Sequence, residues 1–349
     1  MKKNKIIDVG VVGFGLSGRA FHSPFIHTNP LFNLCCIVSS KDDAKTIYPQ
    51  VEVVRDIDDL LNMNNIELVI ISTPNHLHFE QAQKALMAGK HVIIEKPITP
   101  TSEEVITLSR IAQENHRLLI PYHNFRWNGD AQVVKEIIDK EVLGDIHHYE
   151  VHFDRYQPNL SNNPWRYTDT TAGGTLYDLG VHLIDHTLTI FGKPDGVYCR
   201  LFNQREGSVV DDSFDLQLLY KDKSVRIKAG VFVRETGARF TVHGKKGSFV
   251  KYGIDPQEAI LRNGGMPIGN NWGVQDEKYW GILNTEIDGL HYRGKVETIP
   301  GNYHGFYENV YNAIVLNEEL EVTLDQAYLN MLLIEKSIES YKTGMPINI

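Results

Sequence analysis

Residues 6–18, IIDVGVVGFGLSG, join a continuous apolar run to the pattern Gly-x-Gly-x-x-Gly, formed by Gly13, Gly15 and Gly18. An apolar run of this length is typical of a strand that is buried on both faces. After it, Gly13 allows a tight turn, Gly15 lets backbone amides approach an anion, and Gly18 lets a helix pack close to the sheet. The stretch therefore predicts a strand, a phosphate-binding turn and a helix. The other residues of the turn are Phe14, Leu16 and Ser17.

Strand-like and helix-like segments continue to alternate beyond this stretch. Helix-start signals recur between the strands: Asp56 is a predicted N-cap residue, and Thr101 with Glu104 has the pattern of a capping box. Such alternation produces a parallel, doubly wound sheet. Residues 1–122 are therefore predicted to form an α/β Rossmann domain that binds a dinucleotide. Its predicted strands are Ile6–Gly13, Leu34–Val38, Glu67–Ser72, His91–Ile94 and Leu118–Pro121.

The pattern changes beyond about Gly144. Runs with a period of two residues, such as Phe214–Tyr220 and Val225–Val233, indicate antiparallel strands. Residues 123–349 are therefore predicted to form an α+β domain with a mostly antiparallel open sheet. We interpret the glycine- and asparagine-rich segment Gly264–Gly301 as a long loop. Helices are predicted at about Gly174–Ile190, His304–Leu316 and Leu324–Tyr341, and the last two are expected to pack back toward the Rossmann domain.

Charge and cysteine content narrow the possible partners. With 35 Lys and Arg against 44 Asp and Glu, the net charge is −9, which disfavours nucleic acid because its phosphate backbone needs a cationic surface. No run reaches the roughly 18 apolar residues of a membrane span, so we expect no membrane partner and a cytoplasmic location. The three cysteines do not suit a disulfide framework. We interpret Cys35, Cys36 and Cys199 as small buried hydrophobes in a reducing compartment.

Polar residues follow the predicted strands at the edge where open α/β sheets bind ligands. Lys96 stands at the end of the fourth strand, where it would emerge beside a nicotinamide, hydrogen-bond a substrate hydroxyl and shuttle its proton. A surface lysine at a strand end is an equally good interpretation of the pattern alone. The Lys96–Pro97 bond is a candidate cis peptide. The other residues predicted to line the cofactor path here are Thr73, Pro74, Asn75, His78 and Glu95.

The end of the second predicted strand bears on the choice of dinucleotide. In NAD-binding Rossmann domains an acidic residue about 20 residues past the glycines accepts hydrogen bonds from the ribose. Here Ser39, Ser40 and Lys41 follow the strand. Serine hydroxyls can donate to a 2′-phosphate and a lysine supplies the opposite charge, so NADP is predicted in preference to NAD. If the strand runs two residues longer, Asp42 becomes the ribose ligand and the preference reverses.

A third motif, GGTLYDLGVH at residues 173–182, places Asp178 and His182 four residues apart on a predicted helix, where they share a face. A carboxylate beside an imidazole orients it and raises its basicity, which suits acid–base catalysis. A buried structural pair would have the same spacing. A metal site that adds His186 is a third alternative, but no Cys or HExxH-type element supports it, and no metal is predicted.

In this order and at these intervals, the motifs resemble the glucose-fructose oxidoreductase/inositol dehydrogenase/MocA family over essentially the whole chain. The resemblance is carried by the glycine turn, by Glu95-Lys96-Pro97 and by the segment from Gly174 to His182. Within the family it looks closest to the NADP-dependent scyllo-inositol dehydrogenase branch. The stretches similar to that branch are Tyr122–Trp127, Gly174–Gly180 and Lys251–Asp255.

The resemblance implies roles for particular residues. Lys96 takes the position of the catalytic lysine, Asp178 and His182 take the acid–base positions, and Asn124 and Arg126 match a segment near cofactor and substrate. It also implies that the C-terminal domain binds substrate and forms homodimers or homotetramers. Some members place a further histidine on the strand near Phe153, where this chain continues as Asp154-Arg155-Tyr156. We expect substrate contacts instead from Arg155, Tyr156, Trp165 and Arg166.

The predicted reaction is the reversible oxidation of a secondary alcohol on a cyclic polyol or sugar. His182, oriented by Asp178, takes or relays the hydroxyl proton, while Lys96 stabilises the developing alkoxide. Two alternatives stay open. A non-catalytic dinucleotide sensor occurs on the same scaffold, although it would not need these three residues together. An aldose or biliverdin-type reductase is the other.

Overall fold

A computed structural model describes residues 5–160 and 171–349 of the chain. They form two compact units, and each is described by itself. The first unit consists of the residues up to Asn124 together with Gln257–Trp272 and Asn302–Tyr328. The second consists of the described residues of Phe125–Pro256 together with Gly273–Gly301 and Leu329–Ile349.

The first unit is built on a six-stranded parallel sheet with the strand order β3-β2-β1-β4-β5-β6. The central strands are almost wholly buried, which is the burial expected of a parallel sheet with both faces covered and explains their apolar sequences. The predicted Rossmann sheet is thereby confirmed. Its strands are β1 (Ile7–Val12), β2 (Phe32–Val38), β3 (Glu52–Val54), β4 (Leu68–Ile71), β5 (His91–Ile94) and β6 (Leu119–Pro121).

Helices α1 to α5 lie between these strands. Asp56 caps α3 by accepting from the backbone N–H of Asp58, and Thr101 with Glu104 forms the predicted capping box at the start of α5. A wide π-helical turn occupies Gly18–His22, and a short, tight 3₁₀ turn occupies Asn75–Leu77. The helices are α1 (Ser23–Thr28), α2 (Asp43–Ile47), α3 (Ile57–Leu61), α4 (His78–Met87) and α5 (Ser102–Glu114).

The sequence analysis missed β3. This strand has only three residues, at the edge of the sheet, and none of them is fully buried. It pairs in parallel with β2 from Cys36 opposite Glu52 to Val38 opposite Val54. So short and exposed a strand leaves no apolar period in the sequence to recognise.

The second unit is built on a nine-stranded sheet with the order β14-β13-β12-β11-β7-β10-β9-β8-β15. Only β7 and β10 pair in parallel, so the predicted, mostly antiparallel sheet is confirmed. Its strands are β7 (Ile146–Asp154), β8 (Gly196–Phe202), β9 (Ser213–Leu219), β10 (Ser224–Gly230), β11 (Phe240–Gly244), β12 (Gly247–Lys251), β13 (Gly281–Ile287), β14 (Leu290–Val296) and β15 (Ile347–Asn348). The remaining helices within the described residues are α6 (Gly129–Asp139), α7 (Val181–Phe191), α8 (Gln257–Arg262), α9 (His304–Leu316) and α10 (Leu324–Thr343).

The interpretation of Gly264–Gly301 as a long loop is wrong. Strands β13 and β14 lie within it and form a hairpin. Asp288 and Gly289 make the two-residue connection, with φ of 50° and 81°. Positive φ at both positions is the geometry that an Asp-Gly pair favours in a tight hairpin, but the surrounding glycines and asparagines obscured that signal.

The two faces of the large sheet differ in chemistry. Along β7, Tyr149 and Val151 are fully buried on the core face. The alternate residues His148, Glu150 and His152 are only half-buried on the other face, where Glu150 Oε1 lies 2.9 Å from Nε2 of His152. Along β7 the apolar face is therefore the buried one, and the other face is polar.

The cysteines and the helices give two further observations. All three cysteines are free thiols. Cys36 and Cys199 are buried as predicted, whereas Cys35 is half-buried. No helix within the described residues is both long and apolar enough to cross a membrane.

Candidate active site

The glycine turn after β1 has room for a ligand at one position only. A Cβ on Gly13, whose φ is +94°, would lie 2.9 Å from the carbonyl oxygen of Ser72, and one on Gly18 would lie 2.1 Å from that of Gly13. Packing against the protein therefore requires glycine at both. A Cβ on Gly15 would meet no protein atom within 4 Å. The open space beside Gly15 fits the phosphates of a dinucleotide, which bind where backbone amides can approach them.

Segments with predicted functions follow several strands at this same edge of the parallel sheet. Lys96 comes directly after β5 and is half-buried, and the Lys96–Pro97 peptide bond is cis as predicted. Thr73, Pro74 and Asn75 follow β4 and are also half-buried. The Thr73 hydroxyl donates to Oε1 of Gln81 at 2.6 Å, which leaves its oxygen as an acceptor on this edge.

His78, which was predicted to line the cofactor path, is bonded to two loops of the first unit. It lies at the start of α4 and is fully buried. Its Nδ1 is 2.9 Å from the carbonyl oxygen of Pro97 and its Nε2 is 2.9 Å from that of Thr73. Burial lowers the pKa of this imidazole. His78 therefore links the loops after β4 and β5, and its contact with the cofactor stays a prediction.

Glu95 links the glycine turn to the lysine. One of its carboxylate oxygens accepts hydrogen bonds from the Ser17 hydroxyl and from Nε2 of His22, the second at 3.1 Å. The other accepts from the backbone N–H of Lys96 at 3.0 Å. Because Ser17 belongs to the glycine turn, this carboxylate fixes the backbone of Lys96 relative to the turn. The Glu95 side chain is only 9% exposed and is held by the protein, and its place on the cofactor path stays a prediction.

The charge of Glu95 follows from these contacts. Burial by itself would raise the pKa of its carboxyl, but the hydrogen bond and charge of His22, the charge of Lys96 and the hydrogen bond from Ser17 outweigh burial and lower the pKa to about 2. Glu95 is therefore a carboxylate at neutral pH. Since an ionised carboxylate can only accept, Nε2 of His22 carries a proton.

Sequence reasoning missed the aromatic residues around His22. The His22 ring is fully buried, and its Nδ1 lies 2.9 Å from the hydroxyl of Tyr307. Its ring centroid is 4.3 Å from that of Tyr122. Both tyrosine hydroxyls lie within 3.1 Å of the carbonyl oxygen of Phe21. Tyr307 is 285 residues away in the sequence, and no local pattern could have connected it to this site.

The end of β2 matches the predicted register. The strand ends at Val38. The Ser39 hydroxyl accepts a hydrogen bond from the backbone N–H of Lys41 at 3.1 Å, and Ser40 and Lys41 are exposed. Asp42 comes later, at the N-cap position of α2, where its carboxylate pairs with Arg55. Sequence reasoning missed Arg55 because it did not predict β3, the strand that Arg55 follows.

In the second unit, Asp178 and His182 lie on a helical turn with an unexpected geometry. The predicted helix begins as a wide π-helical turn over Leu176–Gly180 and continues as α7. Asp178 therefore lies in the π turn and His182 in the regular helix. Both are half-buried, and the His182 ring is 5.9 Å from that of Phe125. Isolated π turns of this kind are frequent at functional sites.

Asp211 holds the start of that turn. Its carboxylate accepts from the backbone N–H of Leu176 at 2.8 Å, and its carbonyl accepts from that of Thr175 at 2.9 Å. A Cβ on Gly174 would lie 2.2 Å from Oδ1 of Asp211, so only glycine allows this approach. Burial raises the pKa of the Asp211 carboxyl to about 6, against the hydrogen bonds it accepts.

Two neighbouring residues are bound within the second unit. Arg126 forms a two-pronged ion pair with Asp185, with both nitrogen–oxygen distances at 2.7 Å, and its contact with the cofactor stays a prediction. His186 is buried, with Nδ1 3.1 Å from the Tyr149 hydroxyl and Nε2 3.1 Å from the Ala131 carbonyl. Both ring nitrogens of His186 are thus already engaged by the protein. The described residues contain no group of three His, Cys, Asp or Glu side chains that could hold a metal.

The predicted substrate residues are only partly described. Arg155 and Tyr156 follow β7, and the Arg155 backbone N–H donates to the carbonyl of Gly230 at 2.9 Å. Tyr156 is exposed, and the guanidinium of Arg234 lies 3.9 Å from the centre of its ring. Sequence reasoning did not name Arg234. Trp165 and Arg166 lie outside the described residues. Asn124, predicted near the cofactor, is half-buried at the end of the first segment of the first unit.

Models of known protein families match both the N-terminal and the C-terminal part of the chain. A family model described as "Oxidoreductase family, NAD-binding Rossmann fold" matches residues 7–123. Another, described as "Oxidoreductase family, C-terminal alpha/beta domain", matches residues 135–349. The two matches follow the same order as the two sheets in the chain.

Individual relatives cover nearly the full length. The Bacillus subtilis protein named scyllo-inositol 2-dehydrogenase (NADP(+)) IolW is 39% identical over 348 residues, which are 98% of this chain and 95% of the relative. Among solved structures, yvaA from Bacillus subtilis has a TM-score of 0.96 at 37% identity, with all of both chains covered. An oxidoreductase structure from Bacteroides fragilis has a TM-score of 0.91 at 39% identity, covering 99% of this chain and all of that one.

Proposed function

The chain belongs to the glucose-fructose oxidoreductase/inositol dehydrogenase/MocA family of oxidoreductases, with an NAD-binding Rossmann domain, and from this premise we propose a reaction. The protein interconverts a secondary alcohol and a ketone on a cyclic polyol, using NADP(H). The substrate class is supported by the relative named as a scyllo-inositol dehydrogenase. One structural observation carries the proposal most directly: Glu95 connects the glycine turn to Lys96.

The residues that follow β2 favour NADP over NAD. The position where an NAD-binding domain has its ribose-binding acid is occupied by Ser39 and Ser40, with Lys41 beside them. Hydroxyl and ammonium groups suit a 2′-phosphate, whereas a carboxylate would repel it. The carboxylate of Asp42 lies beyond the strand end and is paired with Arg55. The relative's printed name specifies NADP as well.

A nicotinamide bound at this edge would accept or supply the hydride. The side chains of the protein stabilise the charge on the substrate oxygen and transfer the proton of the substrate hydroxyl. The Lys96 ammonium donates a hydrogen bond to the substrate oxygen and stabilises it as it becomes an alkoxide. The His182 imidazole takes the hydroxyl proton in oxidation and returns it in reduction, and the Asp178 carboxylate stabilises the imidazolium that forms. Glu95 keeps the Lys96 backbone in place.

The test is a substrate panel with the purified protein. Inositol isomers, aldoses and their ketone products are offered with NADP or NAD, and the absorbance of reduced coenzyme is followed. We expect turnover with a cyclic polyol and a higher kcat/KM with NADP. Coenzyme binding without turnover on any member of the panel would favour the dinucleotide sensor, and turnover on aldoses alone would favour the aldose reductase.

Lys96→Ala separates catalysis from coenzyme binding. The variant should lose turnover by about 100-fold or more, the scale of losing one hydrogen-bond donor to a developing oxyanion. NADPH affinity, measured by fluorescence titration, should stay within a few-fold because the glycine turn holds the phosphates. Near-normal turnover in this variant would contradict the role of Lys96.

A further inference from the structure

We propose that Arg55 and Asp42 form an exchangeable ion pair that selects the 2′-phosphate of the coenzyme. In this scheme the Arg55 guanidinium leaves the Asp42 carboxylate for the phosphate when NADP(H) binds. The inference rests on the proposed dinucleotide function of the first unit. It adds a specificity residue that the end of β2 alone does not reveal.

The backbone places Arg55 beside the end of β2. Strands β2 and β3 run in parallel, with Val38 opposite Val54. The backbone N–H of Ser39 donates to the carbonyl of Val54 at 3.0 Å. Arg55 therefore follows β3 just as Ser39 follows β2, and both residues lie at the edge that carries the glycine turn.

The side chain of Arg55 is fixed at one end of its guanidinium and exchangeable at the other. Nη1 donates to the carbonyl oxygen of Ser39 at 2.8 Å, which holds the group over the serine segment. Nη2 is bonded to Oδ1 of Asp42. The side chains of Arg55 and Asp42 are 54% and 83% exposed, and an ion pair so exposed is weak because water screens it. A phosphate dianion offers more charge and two acceptor oxygens to the planar fork, so it can displace the carboxylate.

Within the described residues, the Asp42 side chain forms no ion pair or hydrogen bond other than the one with Arg55. Asp42 occupies the N-cap position of α2, yet its side chain accepts no hydrogen bond from the helix backbone. Left unpaired, this carboxylate would oppose a 2′-phosphate or accept a hydrogen bond from the ribose of NAD. Arg55 therefore acts twice, because it neutralises the carboxylate that follows the serines and supplies a positive charge for the phosphate.

The experiment measures binding of coenzyme fragments, so its result does not depend on turnover. Isothermal titration compares 2′,5′-ADP with 5′-ADP on the intact protein and on Arg55→Gln. The glutamine amide can still donate a hydrogen bond near the Ser39 carbonyl but carries no charge. We expect the affinity for 2′,5′-ADP to fall about tenfold or more, the scale of one charge-assisted hydrogen bond, while that for 5′-ADP is unchanged. Asp42→Asn should strengthen 2′,5′-ADP binding.

Arg110→Gln is the matched control. Arg110 is also an exposed arginine of the first unit, paired with Glu114 on α5, so its replacement removes the same charge far from β2 in sequence. Binding of both fragments should be unaffected. If Arg110→Gln weakens 2′,5′-ADP as much as Arg55→Gln does, the effect is one of net charge and the inference fails.

The outcomes separate this inference from the proposed coenzyme. A wild type that binds both fragments equally overturns the NADP preference and the role of Arg55 together. A wild type that prefers 2′,5′-ADP, with the preference intact in Arg55→Gln, overturns only the role of Arg55. If thermal melting shows that Arg55→Gln is unfolded, Arg55→Lys takes its place. It keeps the charge but loses the fork, and unchanged selectivity in it would contradict the two-pronged contact.

Discussion

At the scale of single residues, Glu95 carries a buried charge whose contribution to stability depends on pH. Its pKa is lowered from 4.5 to about 2 in the folded chain. A depressed carboxyl pKa stabilises the fold fully above the unfolded value and loses that effect as pH falls through the folded value. The stabilisation is therefore complete above pH 4.5, declines between pH 4.5 and 2, and amounts to about 3 kcal/mol.

Glu95→Gln tests this contribution. The variant keeps the shape of the side chain but removes the charge, so its unfolding free energy should lie below that of the wild type at pH 7. The difference should shrink as the pH is lowered from 4.5, as measured by urea unfolding. Glu103→Gln, on the exposed first turn of α5, is the control and should show neither effect. A constant difference across this pH range would mean that the carboxylate contributes through packing alone.

The Asp178 and His182 pair calls for a double-mutant comparison. His182→Asn is expected to lower kcat by about 100-fold or more, as for the loss of a general base. Asp178→Asn should act through the same proton transfer, so the double variant should be little worse than His182→Asn. Steady-state kinetics of the three variants supply the test. Small effects that simply add would identify the two side chains as structural.

At the scale of elements, the π turn before α7 depends on Gly174. This residue has φ of +92°, and a Cβ would lie 2.2 Å from Oδ1 of Asp211. Gly174→Ala should move the turn away from Asp211 and lower kcat together with stability. Gly192→Ala is the matched control: its φ of +70° carries the same kind of backbone strain, but no atom lies within 4 Å of its Cβ.

The two glycine variants are compared by thermal melting and by kcat. Gly192→Ala should cost about 1–3 kcal/mol, the backbone term alone, because φ of 70° with ψ of −160° is a conformation that essentially only glycine adopts. It should leave kcat unchanged. Gly174→Ala should cost more, because the clash with the Asp211 carboxylate, which the backbone N–H of Leu176 holds, adds to the strain. Equal losses in the two variants would show that the approach of Asp211 does not position the turn.

Elements with a local signal were predicted well. The glycine turn, the capping box of α5 and helix α9 each depend on residues within a few positions of one another, so the sequence alone specifies them. Strand β3 and the β13–β14 hairpin were missed. Strand β3 has three residues, none of them buried, and β14 is mostly exposed, so neither strand has the apolar period from which strands are recognised.

The same reasoning explains which parts of the site were missed. Lys96 and Glu95 stand next to each other in a recognisable motif. By contrast, His22, Tyr122 and Tyr307 meet only because distant segments fold together. Arg55 was missed as a direct consequence of missing β3, since its position beside Ser39 follows from the pairing of that strand. Long-range contacts of this kind leave no spacing in the sequence.

At the scale of the whole molecule, the remaining prediction is self-association through the half-buried face of the large sheet. The face is polar, and charges of both signs lie on neighbouring strands, including Arg226 paired with Asp215. On β7, burial alone would lower the pKa of His152, but the adjacent carboxylates of Asp154 and Glu150 outweigh it and raise the pKa. A surface that mixes both charges can complement a second copy of itself across a two-fold axis.

Such an interface would respond to salt and to charge reversal, unlike an apolar one. We expect the chain to sediment as a dimer or tetramer at low ionic strength and to associate less strongly at high salt, because salt screens charge pairs. Glu150→Lys, in the middle of the face, should weaken association strongly, since it places like charges opposite one another in both copies. Glu103→Lys makes the same charge change on the exposed surface of α5 and should not. The test is sedimentation velocity of the wild type, Glu150→Lys and Glu103→Lys. A wild type that is monomeric at every salt concentration contradicts association. An oligomer that is affected neither by salt nor by Glu150→Lys must form through some other surface.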